Sequence, residues 1–172
     1  MSSEYFKDIP HIKYEGKESE NPLSFKYYNE DQVVLGKAMK DHFRFATCYW
    51  HTFTWPGLDP FGGPTIDRPW MKLENPLKMA EIKLDAAFDF ISKIKTPFFC
   101  FHDRDIAPEG KTHLETKKNL DHIVDLMEKK MDETGIRLLW GTANAFSHKR
   151  YMAGASTNPD PEVFAFVAGQ VK

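Results

Sequence analysis

Three short apolar segments recur along the chain, and each is followed by a stretch with the spacing of an amphipathic helix. The segments cover residues 43–51, 98–102 and 136–140, and all are of strand length. In a strand–helix–strand unit, the crossover helix makes the two strands parallel. The order of elements therefore predicts an α/β protein built around a parallel sheet.

The three predicted helices carry start signals, stop signals and apolar stripes. The start signals are Asn75-Pro76, the capping-box pair Thr112 and Glu115, and Asp160-Pro161-Glu162; the stop signals are Pro97 and Gly135. The stripes are Leu77, Ala80, Leu84, Ala87, Ile91 and Ile94 in the first helix, Leu120, Ile123, Val124, Met127 and Met131 in the second, and Val163, Phe164, Val167 and Val171 in the third.

Two segments lack sustained periodicity. Residues 1–42 read as an irregular N-terminal arm, with a short helix expected around residues 32–39. Glycines and prolines between residues 55 and 69 predict a long loop without regular structure. Long ordered loops in compact domains are often functional.

The number of units limits the architecture. A closed eight-stranded barrel takes roughly 250 residues, so three units within 172 residues cannot close one. We expect residues 43–172 to be a partial TIM-barrel domain, the first three β/α units of a parallel (β/α)8 barrel, preceded by the arm. Because the third helix is the last element, we also expect the chain to be truncated.

Composition narrows the set of partners. A net charge of -2, with 23 basic and 25 acidic side chains mixed along the chain, gives no basic field for nucleic acid. No signal peptide or membrane-spanning run is evident, so we expect a soluble protein without a membrane partner. Cys48 and Cys100 lie in apolar segments, which suits buried thiols in the reducing cytoplasm, although a disulfide between them is the alternative.

The ends of the predicted strands hold the candidate functional residues, as expected for parallel α/β folds. Strand alternation puts Cys100 and His102 on one face of the sheet. An aspartate such as Asp105, accepting from one ring nitrogen of His102, would fix the tautomer and leave the other nitrogen for proton transfer. Spacing alone favours the plainer alternative, a core histidine beside a solvated turn at residues 103–105.

Other polar and aromatic residues near the strand ends indicate a function less specifically than the His102–Asp105 pair does. Alternation also aligns Trp140, Thr142 and Asn144, whereas His51 would point away from Trp50 and is expected to be structural rather than a metal ligand. The aromatic residues are core or loop packing by default, and a sugar-stacking surface is the alternative. CxxC, HExxH, GxxxxGK[ST], GxSxG and GxGxxG motifs are absent.

At these same places the chain resembles the longer-armed class of the xylose isomerase family. The similar stretches follow the family in collinear order over nearly the whole chain. They are Lys13-Tyr14-Glu15-Gly16-Lys17, Asn21-Pro22-Leu23, Arg44-Phe45-Ala46, Tyr49-Trp50-His51-Thr52, Phe101-His102-Asp103, Leu139-Trp140-Gly141-Thr142-Ala143-Asn144 and Gly154-Ala155-Ser156-Thr157-Asn158-Pro159-Asp160.

The resemblance implies an aldose–ketose isomerase that converts D-xylose to D-xylulose, with D-glucose as a further candidate substrate, in a homotetramer. Two divalent metals, Mg, Mn or Co, polarise the sugar oxygens during a hydride shift. The family's metal ligands come from later strands, so no metal site is expected within this chain.

The resemblance also implies roles for individual residues. His102 corresponds to the histidine that assists ring opening, and Asp105 to the carboxylate that orients it. The residues implied to contact sugar are Trp50, Trp140, Thr142, Phe146 and, reaching into the site of an adjacent subunit, Phe61.

Three functional hypotheses follow. The first is a xylose isomerase chain that is incomplete and therefore inactive alone. The second is a catalytically inactive interaction or regulatory fragment that pairs with a full-length subunit. The third is another metal-dependent barrel enzyme, such as a phosphodiesterase or a different sugar epimerase.

Overall fold

The computed structural model describes residues 5–172, and this part of the chain contains two small sheets and five α-helices. The strands are β1 (Val33–Val34), β2 (Lys37–Ala38), β3 (Ala46–Cys48), β4 (Phe98–His102) and β5 (Arg137–Thr142). The helices are α1 (Met39–His42), α2 (Pro76–Ile94), α3 (Asp103–Ile106), α4 (His113–Thr134) and α5 (Pro161–Val171). Shorter turns are the π-helical turn Trp50–Thr54 and the 3₁₀ turns Pro69–Met71 and Lys149–Tyr151.

The central sheet has the order β3-β4-β5 and is parallel throughout. Cys48 pairs with Cys100, and Cys100 with Trp140. The predicted α/β class with a parallel sheet is therefore confirmed, and the three units are compatible with part of a TIM barrel. In the described residues, β3 and β5 are the edge strands of this sheet.

The first strand is shorter than predicted. It ends at Cys48, and the chain then enters the π-helical turn, in which the Trp55 N–H donates to the Trp50 carbonyl at 2.6 Å. The prediction of a strand over residues 43–51 is wrong at both ends because aromatic residues suit a strand and a buried turn equally well. Trp50 and His51 consequently do not alternate as strand neighbours.

The predicted starts of the long helices are confirmed by their caps. The Asn75 side chain accepts from the backbone of Leu77 and Lys78 at 3.0 Å each. Thr112 caps α4, and Asp160 caps α5 through the N–H of Glu162. These contacts satisfy backbone donors that have no partner within a helix.

Helices α2 and α4 each end at a residue with a left-handed backbone conformation. Lys95 closes α2 with φ of 56°, two residues before the predicted stop at Pro97, and Gly135 closes α4 with φ of 75°. Gly135 is suited to this position because residues with a Cβ are strained at such a positive φ, whereas glycine is not.

The core lies between the central sheet and helices α2 and α4. Phe99 of β4 is fully buried and packs edge-on against Phe88 of α2, with ring centroids 5.4 Å apart. Ile91 and Ile123 complete this layer and are also fully buried. Three predicted stripe positions are wrong, because Val124, Phe164 and Val171 are exposed.

The described part of the arm is irregular apart from one hairpin and the short helix α1. The helix expected over residues 32–39 is wrong, since β1 and β2 pair antiparallel there and α1 begins only at Met39. Leu35 and Gly36 connect the strands with positive φ values of 49° and 79°, the backbone that a two-residue hairpin turn requires. Residues 1–4, where the predicted arm begins, lie outside the described residues.

The arm also packs against helix α2. The rings of Phe6 and Phe90 meet edge-on with centroids 5.5 Å apart, and the Ile12 N–H donates to the Lys93 carbonyl at 2.7 Å. The arm therefore contributes to the same packed body as the sheet.

Both cysteines are free thiols, so the disulfide alternative is wrong. Burial raises the pKa of the Cys100 thiol, which keeps it protonated. None of the described helices has the length and apolar character needed to cross a membrane.

Ile123→Val tests the core layer. Removing one buried methyl group is expected to lower the free energy of unfolding by about 0.5–1.5 kcal/mol, measured by urea denaturation. The neighbouring Val124→Ala, on the exposed side of α4, should change it by less than about 0.5 kcal/mol. Equal losses for the two variants would contradict the packing described.

Candidate active site

The candidate site lies where strand β4 ends and helix α3 begins. His102 is the last residue of β4, and its backbone N–H donates to Asp105 Oδ2 at 2.9 Å. The same oxygen lies 2.9 Å from His102 Nδ1. The turn into α3 thus folds the aspartate back onto the histidine three residues earlier.

This geometry selects one form of the imidazole. A carboxylate can only accept, so the contact places the proton on Nδ1 and leaves Nε2 with its lone pair. Within the part of the chain that the structure describes, no residue hydrogen-bonds Nε2. His102 can therefore exchange a proton with a molecule that enters the site.

The solvated-turn alternative is wrong for both aspartates. Asp103 and Asp105 are only 7% and 6% exposed. Buried carboxylates need hydrogen-bond donors, and each of these has them, as described below for Asp103.

Aromatic side chains form a wall around His102. The ring centroids of Trp50, Phe146 and Trp140 lie 4.7, 5.1 and 6.0 Å from that of His102. Trp50 and Trp140 also contact each other at 5.4 Å. Thr142 sits opposite His102 in the register of β4 and β5.

Two candidate residues are placed elsewhere. Phe61 is 97% exposed on the long loop and is not among the rings that contact His102. The His51 ring contacts Trp50 and Trp55, so the expectation that it points away from Trp50 is wrong, and the His51 carbonyl accepts from Arg68. That His51 is structural rather than a metal ligand stays a prediction.

Asp103 connects the site to the loop after β5 and to helix α5, a role that the sequence did not predict. Its Oδ1 accepts from the backbone of Arg104 and Asn144 at 2.8 Å each, and its Oδ2 accepts from Gln170 Nε2 at 2.9 Å. The Asn144 side chain in turn accepts from the N–H of Phe146 at 3.3 Å. One carboxylate therefore joins β4, the loop after β5 and helix α5, and so supports Phe146.

Lys83 is the second residue that was missed. This α2 side chain is 8% exposed, and its ammonium donates to the Asp105 carbonyl and, at 3.3 Å, to Thr54 Oγ1. Burial lowers the pKa of Lys83 to about 8, opposed by the Asp105 charge. A signal was present, since Lys83 falls between Ala80 and Leu84 on the stripe already predicted to face the core.

Burial also raises the pKa of the Tyr49 hydroxyl, for which the described residues offer no hydrogen-bond partner. The Tyr49 ring is fully buried and lies 5.8 Å from the Lys83 ammonium. The interior beside Lys83 is therefore poorly solvated.

The described residues do not fit a metal cage. No group of three or more histidine, cysteine, aspartate or glutamate side chains in residues 5–172 could hold a metal ion. The chemistry available from these residues alone is proton transfer beside an aromatic surface.

Comparison with known proteins finds relatives named xylose isomerase. The chain is 59% identical over 172 residues to a xylose isomerase of Rhizobium etli and 58% identical over 172 residues to one of Allorhizobium ampelinum. It is 56% identical over 170 residues to one of Roseobacter denitrificans. These identities are consistent with the chain being an N-terminal portion of the xylose isomerase family.

The matches to these xylose isomerases cover 99–100% of the chain and 39% of each relative. The chain thus spans about two-fifths of the length of the curated relatives it matches. No family model matches it.

Asp103→Asn tests the junction between β4, β5 and α5. The amide nitrogen cannot accept, so at least one buried donor loses its partner, and the free energy of unfolding should fall by about 1–3 kcal/mol. Urea denaturation measures the loss. Asp132→Asn, at an exposed position, should change stability by less than about 0.5 kcal/mol, and a similar loss there would contradict the assignment.

Because the pKa of Lys83 is lowered in the folded chain, we expect the free energy of unfolding to depend on pH. The folded pKa of about 8 lies below the ordinary 10.5, so between these values the unfolded chain binds more protons. The burial penalty is complete below about pH 8 and is relieved as the pH rises towards 10.5. The stability of the wild type relative to Lys83→Met should therefore increase by on the order of 1 kcal/mol per pH unit in that window.

Lys78 provides the matched control on the same helix. It is exposed, and its hydrogen bond to Glu81 raises its pKa above 10.5. The stability difference between the wild type and Lys78→Met should stay flat from neutral pH to about pH 9.5. A flat difference for Lys83→Met as well would show that Lys83 is not held in a desolvated site.

Proposed function

We propose that this chain supplies the ring-opening side of a xylose isomerase active site, for the conversion of D-xylose to D-xylulose. The observation that carries the proposal is the pair of half-buried His102 and buried Asp105, which lies at the carboxyl edge of the parallel sheet beside three aromatic rings. Homologues named xylose isomerase over the whole chain support it.

His102 and Asp105 would move the proton that opens the sugar ring. His102 Nε2 accepts the proton of the anomeric hydroxyl and returns it to the ring oxygen. The bond between the anomeric carbon and the ring oxygen breaks, and the anomeric carbonyl forms. Asp105 keeps the proton on Nδ1 and stabilises the transient imidazolium, the role of an orienting carboxylate in general acid–base catalysis.

The aromatic wall would bind the sugar. Trp50, Trp140 and Phe146 present apolar ring surfaces that suit the C–H faces of a pyranose. Thr142 lies next to His102 across the sheet and offers a hydroxyl for the sugar. D-glucose is the second candidate substrate.

Two divalent metals, Mg, Mn or Co, belong to the complete enzyme in this proposal. When bound, they polarise sugar oxygens for the hydride shift. Since the described residues do not form a metal cage, we assign the ligands to the part of the relatives that this chain does not span.

The proposal includes an architecture and an assembly. Residues 1–42 form an arm and residues 43–172 the first three units of an eight-stranded TIM barrel, whose later strands would pair with the edge strands β3 and β5. The exposed ring of Phe61 would enter the site of an adjacent subunit in a homotetramer. The enzyme would act on free sugar in the cytoplasm, without a nucleic acid or membrane partner.

A catalytically inactive interaction or regulatory fragment is the second candidate. The absence of a metal cage within residues 5–172 favours it. Such a chain would retain the fold of the described units and associate with a complete subunit.

A fusion of this chain to the remaining part of the Rhizobium etli relative tests the proposal. With Mg²⁺, the fusion should convert D-xylose to D-xylulose, and His102→Gln should lower kcat by about 10²- to 10⁴-fold. The isotope effect of C2-deuterated xylose should shrink in His102→Gln, because ring opening then limits the rate.

His122→Gln is the control, since His122 lies on the surface and bonds Glu81. It should leave turnover unchanged. A fusion that folds but is as active with His102→Gln as without it would contradict the assigned role. The 172-residue chain alone is expected to be inactive with added metal, and turnover by it would refute that part of the proposal.

A further inference from the structure

Lys83 is a buried cation held by neutral acceptors. Its ammonium donates to the Asp105 carbonyl and to the Thr54 hydroxyl, and no carboxylate in the described part of the chain forms an ion pair with it. A buried charge of this kind is costly. Its presence beneath the site therefore calls for a role that an apolar residue on the α2 stripe would not fill.

Both acceptors belong to segments that carry site residues. Asp105 lies in α3 and holds His102, while Thr54 is the last residue of the π-helical turn that begins with Trp50. The Thr54 hydroxyl also contacts the Asp105 carbonyl at 3.2 Å. A single ammonium thus joins the turn that bears Trp50 to the segment that orients the imidazole.

We propose that Lys83 is a positioning residue, which holds Asp105 and the Trp50 turn together and thereby fixes the tautomer and orientation of His102. The role given to His102 rests on the proposed function above. The effect on the imidazole itself does not depend on it. Among the described residues, the hydrogen bonds of the Lys83 ammonium go to Asp105 and Thr54 and not to His102.

Charge strengthens the arrangement. The ammonium and the Asp105 carboxylate attract each other through a poorly polar interior. Desolvation lowers the pKa of Lys83 more than the Asp105 charge raises it. The hydrogen bonds to Asp105 and Thr54 are the contacts that fix the position of the ammonium.

The surroundings leave room for one conservative replacement. A cavity of about 170 Å³ adjoins Lys83 and is lined by Thr54, Met79 and Arg104 among others. An arginine at position 83 can extend into this cavity and still donate to both acceptors. Methionine has similar length but no donor, so it removes the bonds while it keeps the packing.

The test reads the His102 imidazole by long-range ¹H–¹⁵N NMR of the full 172-residue chain at neutral pH. The wild type should show the Nδ1–H form as the dominant neutral tautomer. In Lys83→Met the population of the Nε2–H form should rise several-fold, and Lys83→Arg should restore the wild-type pattern. A Lys83→Met spectrum with an unchanged tautomer would overturn the proposal.

Leu84→Ala separates positioning from stability. Leu84 is fully buried on the same helix, so this variant is destabilised without loss of a contact to Asp105, and its tautomer should stay as in the wild type. If Leu84→Ala shifts the tautomer as much as Lys83→Met does, the effect is general loosening and the proposal fails.

Thr54→Val is the second variant, for the case in which Lys83→Met does not fold. It removes one of the two acceptors with little change of shape and should shift the tautomer in the same direction by a smaller factor. No shift would count against the proposal. Because these measurements use neither sugar nor metal, an inactive fusion protein would refute the proposed function without affecting this result.

Discussion

Two buried carboxylates directly after strand β4 hold the carboxyl edge of the sheet together. Asp105 turns back onto His102, and Asp103 reaches forward to the loop after β5 and to helix α5. Water would normally solvate such groups, so each requires a full set of donors in the fold. Satisfying them forces the ends of β4, β5 and α5 into one arrangement, and the aromatic wall follows from it.

The same contacts also explain how the short helix α3 is stabilised. This helix has only four residues, too few to be stable by its own hydrogen bonds. Its aspartates bind to the end of β4, to the loop after β5 and to helix α5. Lys83 donates a hydrogen bond to the backbone carbonyl of Asp105. Rigidity at the site therefore comes from side chains that bridge segments rather than from regular secondary structure.

Much of the fold could be predicted because its signals are local. The cap at Asn75, the glycine at position 135 and the apolar run of β4 each act within a few residues of the chain. The π-helical turn at Trp50 and the hairpin at Leu35 could not be predicted so well, because their local patterns also fit other structures. The His102–Asp105 pair could be singled out from its place at a strand end and from the resemblance, although spacing alone favoured a solvated turn. The contacts of Asp103 with Asn144 and Gln170, and those of Lys83, join residues that are 22 to 67 positions apart.

The number of strands in the central sheet limits what its exposed edges can assemble into. Since all three strands are parallel, the outer side of β5 could add to the outer side of β3 in another copy, head to tail. Each copy would contribute three strands, and no multiple of three equals the eight of a TIM barrel. Copies of this segment alone would therefore form a ring with a different number of strands or an open array. An eight-stranded ring needs a different chain segment to complete it.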